Sequence, residues 1–189
     1  MKNKENQRGG YTGQGIYSNK THPKTYSIWY SMLNRCYNKK TTQNPSYKHC
    51  SVSKEWKCFQ NFAKWFDENY KESWHLDKDI IFKGNKIYSS ETCCFVPREI
   101  NNLFTKTDTL RGEYPIGVTK RVGIKGFRVR ILIRNKDFHL GTFDTSEEAF
   151  QAYKVAKENY IKEIADEWRK QITEKVYEAM YKYEVEITD

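Results

Sequence analysis

The run GFRVRILIR, residues 126–134, narrows the possible folds more than any other stretch of this chain. Phe127, Val129, Ile131 and Ile133 alternate with Arg128, Arg130, Leu132 and Arg134, and a strand of that period buries one face and turns its arginines to the other. Such a strand needs an apolar roof on one side and an open space on the other. IGVTK lies upstream, Gly123 and Gly126 punctuate the approach, and a turn at Asn135 leads into DFHLGTF, so a three-stranded antiparallel meander is expected. Thr145 followed three residues later by Glu148 is a capping-box start, and Ala149, Ala152, Tyr153, Ala156, Tyr160 and Ile164 then recur at helical spacing. That helix supplies the roof, and its small alanines permit close approach. The expected fold class is α+β: a small helical and ββα amino-terminal domain, then a three-stranded sheet packed on a long helix.

Charge indicates what the open side meets. The formal net charge is +9 over 189 residues, and it is unevenly spread. From Thr105 to Leu140 nine Lys and Arg stand against three Asp and Glu, whereas Gly141 to Asp189 carries seven against twelve. A basic sheet and linker point to a nucleic-acid partner, although ribosomal and membrane-surface roles share the balance and a solvated cationic face is the plain alternative. A twisted antiparallel ribbon of this size fits the major groove, where arginine forks pair with guanine edges and other cations hold phosphates. Candidate base readers are Arg121, Arg128, Arg130 and Arg134, helped by Lys120, Lys125 and His139; Lys106 and Arg111 suit phosphate contacts from a linker at 105–113. No apolar run approaches membrane-spanning length and MKNKENQRGG does not read as a signal peptide, so a cytoplasmic protein is expected. Five cysteines, an odd number without any Cys-x-x-Cys, argue for reduced thiols over a disulfide framework.

The order of these pieces is also familiar. IGV, TKR, GFRVRI and LGTFDTSEEAFQAY resemble the APETALA/ethylene-response-factor type of DNA-binding domain over Tyr114 to Trp168. The resemblance implies a sheet lying in the major groove and reading bases from strand side chains. Position by position, Arg121 matches a family contact arginine, and Arg130 stands where the plant proteins have a glutamate. His139 replaces a tryptophan before LGTF, and Ile116, Thr119 and Leu132 replace arginines. The resemblance therefore implies DNA binding without the plant recognition site.

Residues 1–22 are polar and read as a flexible basic arm. In 23–104 a helix is expected from about Pro23 to Asn38 with Trp29, Met32, Leu33 and Cys36 on one stripe, and YKHCSVS is a short strand candidate. A second helix over EWKCFQNFAKWFDENY carries Trp56, Phe59, Phe62, Ala63 and Phe66 as core. Leu76 to Phe82 reads as a strand, Lys83 to Asn85 as a hairpin turn, Ile87 and Tyr88 as the return strand, and Pro97 to Phe104 as a helix. Two strands and a helix around a metal-binding acid is the layout of H-N-H nucleases. With RCYN, YKHC and EW-x-x-F-x-x-F-x-x-W before it, the segment resembles the amino-terminal half of phage H-N-H or homing-type endonucleases, several of which carry an APETALA-type module at the carboxyl end.

The resemblance implies a divalent ion, Mg²⁺, held by Asp77, Asp79 and Asn102 (or Asn101) through oxygen ligands, with His75 or His49 activating water. The chain departs from the pattern at Lys78, which stands where the general-base His would be and needs a strongly lowered pKa to act. The alternative reading of LDKD is a surface strand with its salt bridges and of YSSETCCFVP a structural turn, with Glu91 a loop acid. Cys36, Cys50, Cys58, Cys93 and Cys94 with His49 lack the paired spacing of a zinc site.

After Thr145 there is neither Pro nor Gly, and Trp168, Ile172, Val176 and Met180 continue at four-residue steps. The helix either runs on or breaks once and folds back, its stripe expected against the amino-terminal domain, with a homodimer contact the alternative to a monomer. The expectation as a whole is a sequence-selective double-stranded DNA-binding protein of phage homing-endonuclease type, in the cytoplasm of a bacterial host, with nicking of DNA by a divalent metal left open. Its alternative is an inactive regulator or counter-defence protein that grips DNA or a host protein.

Overall fold

In the computed structural model, which describes residues 5–42, 44–105, 113–121, 123, 125–187 and 189, Pro23 opens helix α1 (Pro23–Tyr37), where its missing N–H costs nothing. Trp29, Met32, Leu33 and Cys36 fall on one buried stripe of that helix, as their spacing requires. The aromatic stripe that follows is divided into two helices. Ser53 caps α2 (Lys54–Lys57) by accepting from the Trp56 N–H, and α3 (Phe59–Asn69) buries Phe59, Phe62, Ala63 and Phe66. Cys58 between them is extended because the amino-terminal segment docks there: the Tyr11 N–H donates to the Lys57 carbonyl, and the Phe59 N–H to that of Tyr11. The segment expected to be a flexible arm is thus held at several points from Arg8 to Tyr17. Arg8 Nε donates to Asn34 Oδ1 at 2.8 Å, while the Gln60 amide bonds Thr12 and Tyr17. Trp29 Nε1, deep in the core, donates to the Trp56 carbonyl at 2.7 Å, so its polar atom is satisfied where water is excluded.

A 3₁₀ turn at Pro45–Tyr47 leads to β1 (Ser51–Val52), which pairs in parallel with β3 (Ile87–Tyr88). β2 (His75–Asp77) pairs antiparallel with β4 (Cys94–Val96), and α4 (Arg98–Phe104) follows. Two strands and a helix are present, but the strands are not the expected hairpin of Leu76–Phe82 with Ile87–Tyr88. β2 stops at Asp77 because its Oδ1 accepts from the N–H groups of Asp79, at 2.7 Å, and Ile80, at 2.8 Å, a side-chain turn that ends extended structure. The partner of β2 is then the stretch read from sequence as a turn.

This first unit spans Met1–Phe104, and the second Thr105–Asp189. In the second, β5 (Val118–Thr119), β6 (Phe127–Ile133) and β7 (Lys136–Phe143) form an antiparallel sheet in the order β5-β6-β7. Arg134 and Asn135 make the two-residue turn between β6 and β7 with φ of 47° and 62°, the primed turn that matches strand twist. Helix α5 (Ser146–Trp168) opens on the complete capping box of Thr145 and Glu148. Its Ala149, Phe150 and Tyr153 pack on Val118, Val129 and Ile131 of the sheet. Gly117 explains how close they come: its φ is +75°, and a Cβ there would lie 2.1 Å from the Tyr153 ring. Beyond α5 the chain breaks and returns. Thr173 caps α6 (Glu174–Tyr181), whose Tyr177 and Tyr181 hydroxyls donate to Asp166 of α5, and Val185 is tied to Lys154 and Glu158. Among the described residues no helix is long and apolar enough to cross a membrane.

Candidate nucleic-acid interface

Because α5 occupies one face of the sheet, the alternation of β6 decides what the other face presents. Val129 and Ile131 are 0% and 2% exposed, whereas Leu132, one position on, is 61% exposed. Cross-strand partners share a face, so the register assembles the rest. Thr119 and Thr142 flank Arg128, His139 lies opposite Arg130, and Asp137 lies opposite Leu132. The open face therefore carries Arg128, Arg130, Leu132, Asp137, His139 and two threonines.

A β-bulge makes this arrangement possible. Val129 faces Gly141 but Arg130 faces His139, which leaves Leu140 as an extra residue on β7. The insertion lets Leu140 turn partly into the core and returns His139 to the arginine side, as bulges re-aim side chains. His139 Nδ1 sits 3.1 Å from the Val129 carbonyl oxygen. A carbonyl only accepts, so this nitrogen carries the hydrogen and Nε2 is left as an acceptor when the ring is neutral.

Arg130 Nε lies 3.1 Å from Asp137 Oδ1, an ion pair that runs diagonally across the two strands. The pair leaves Arg130 exposed on the open face. Lys120 Nζ lies 4.8 Å over the Phe127 ring, and Arg121 and Lys125 are exposed in the loop between β5 and β6. Arg134 does not join them. It belongs to the turn, not to the strand, and its Nη2 donates to both carboxylate oxygens of Glu167 on α5. Lys106 and Arg111 lie outside the described residues. Sequence reasoning missed Asp137 as a partner of Arg130; the signal was the length of the turn, since two residues at 134–135 set Leu132 against Asp137.

The LDKD segment is built differently. His75 is exposed at the start of β2, opposite Val96, and Asn102 is exposed on α4. Asp77 Oδ1 is engaged by two backbone N–H groups; burial pushes this carboxyl above the usual aspartate range, although those N–H groups pull it down. Lys78 points inward and is 4% exposed. Its ammonium donates to both oxygens of Asp79 at 2.6 Å and to the Asn85 carbonyl at 2.9 Å, 6.0 Å from the centre of the Tyr88 ring. Asn85 closes the loop by donating to the carbonyls of Lys78 and Ile87.

Asp77 and Asp79 were expected on one side of a strand, facing a metal with Asn102. Instead the strand ends at the first of them and the second is neutralised by Lys78. Among the described residues no group of three or more His, Cys, Asp and Glu could hold a metal ion. All five cysteines are free and buried, and burial pushes the Cys36 and Cys93 thiols up to about 12, which keeps these two protonated near neutral pH.

No protein-family model matches the chain, and no curated protein or solved structure is similar to it at a significant level.

Proposed function

We propose that the carboxyl-terminal unit binds double-stranded DNA, with the open face of β5, β6 and β7 in the major groove and base selection from β6. The observation that carries this reading is the division of β6. One face lies under α5, and the other, uncovered by it, holds Arg128 and Arg130 with two flanking threonines. Arginine forks read guanine O6 and N7, and hydroxyls accept or donate to either base edge. Lys120, Arg121 and Lys125 at the loop, together with Lys106 and Arg111 in the linker, serve as phosphate contacts. Resemblance to plant and phage DNA-binding modules supports the same assignment.

On this reading the amino-terminal unit is a relative of the phage H-N-H type in which the LDKD turn has become structural. Supporting it is the inward Lys78, whose ammonium is bonded to Asp79 and Asn85. The β2, β4 and α4 arrangement is what favours a second reading, metal-dependent nicking. Supercoiled plasmid incubated with the full-length protein and Mg²⁺ or Mn²⁺ separates the two. Nicking that disappears in Asp77→Ala would establish the enzyme.

The binding reading is tested by selecting a duplex from a random pool and comparing it with random duplex. Arg130→Ala is expected to lose about 1 to 3 kcal/mol of discrimination. Equal losses on both duplexes would refute readout from the sheet.

A further inference from the structure

Leu132 is the one large apolar residue on the arginine side of β6, and its position has a chemical consequence. It lies two residues from Arg130 on the same face and directly opposite Asp137, and it is 61% exposed. The Asp137 carboxylate repels phosphate, so this end of the row favours base edges over the backbone. In the major groove the one apolar feature that a base pair presents is the thymine methyl group.

We propose that Leu132 reads a thymine methyl, beside a guanine read by Arg130 whose guanidinium Asp137 holds in place. The inference rests on the DNA-binding reading and names the bases that the same face selects. Residues two apart on a strand are separated by about 6.8 Å, twice the 3.4 Å rise of duplex DNA. A strand following the groove therefore places the thymine within about two base pairs of the guanine.

The test uses the full-length protein and a duplex selected from a random pool, remade with deoxyuridine in place of each thymine in turn. Deoxyuridine removes the methyl group and leaves the hydrogen-bonding edge intact. At one thymine the wild-type protein is expected to bind about fourfold more weakly, the effect of exposing a single methyl, and Leu132→Ala is expected to bind both duplexes alike. Leu132→Arg is expected to change the preferred base at that position from thymine to guanine. The proposal is overturned if no thymine-to-uracil change weakens the wild type, or if Leu132→Ala keeps the same uracil penalty. Selection that yields no duplex at any salt concentration overturns the DNA-binding reading as well, and so is distinguishable from loss of the Leu132 contact alone.

Discussion

Gly117→Ala probes the packing that leaves the arginine face open. The residue sits at φ +75°, and an added Cβ would lie 2.1, 2.4 and 2.7 Å from three carbons of the Tyr153 ring. Tyr153 is buried in the sheet–helix core and has little room to yield. A left-handed backbone costs a residue with a Cβ about 1 to 2 kcal/mol, and overpacking a filled core costs about 1 to 3 kcal/mol more. The substitution should thus cost roughly 2 to 5 kcal/mol, a large part of the about 5 to 15 kcal/mol that holds a typical domain together. Hydrogen exchange at the Val129 and Ile131 amides of the full-length protein reads the opening of this unit by itself. Repeating the substitution in a Tyr153→Ala background removes the ring, so only the backbone part of the cost should persist. A loss below about 0.5 kcal/mol, or an equal loss with and without the ring, would mean that α5 is not seated on this end of the sheet. The division of β6 into a roofed and an open face would then lose its basis.

Three further outcomes follow from the same contacts. Burial holds the Asp77 carboxyl above its ordinary range, so the stability it contributes is full below the unfolded aspartate value, about 4, and is lost as pH rises through the folded one. Asp77→Asn keeps the acceptor for the Asp79 and Ile80 N–H groups. It should flatten that decline in urea midpoints between pH 4 and 8, and an unchanged pH profile would contradict the assignment. Asp137→Asn removes a negative charge from the arginine face and the restraint on Arg130. It should tighten binding to random duplex while lowering the selected-to-random ratio by up to about fivefold, the worth of an exposed pair; an unchanged ratio would count against positioning by Asp137. The five buried thiols should react with a thiol reagent only as the protein unfolds, and rapid modification of any of them in the native state would contradict their placement.

How much of this was legible follows from which interactions are local. The alternation in β6 announced a two-faced strand because four apolar residues at period two leave few other solutions. Thr145 and Glu148 announced the helix for a similar reason, since a capping box is complete within four residues. Arg134 was misplaced because Asn135 signals the turn but not that a two-residue loop also takes the preceding position out of the strand. The bulge at Leu140, which decides where His139 points, depends on register with β6 and leaves no local mark beyond Gly141.

In the first unit the strands have two or three residues each, too short to show a period, and their pairings are not with the nearest candidates. A carboxylate that captures two N–H groups overrode the apparent continuity of Leu76 to Phe82. Lys78 would pass for a surface residue from its charge; only Asp79, Asn85 and the Tyr88 ring make burial tolerable. The break at Cys58 is set by Tyr11, distant in sequence, and no helical spacing could reveal it.

If one side of the sheet meets DNA, and not its cationic charge in general, where a charge is lost matters more than that it is lost. Duplex affinity of Arg130→Ala and Arg134→Ala, measured side by side near 0.15 M salt, tests it most directly, because each removes a single positive charge but from different places. Arg130→Ala is expected to lose most of the selective binding, while Arg134→Ala, which removes a guanidinium bound to Glu167 on the helix, is expected to stay close to wild type. Equal losses, or the larger loss at Arg134, would contradict it.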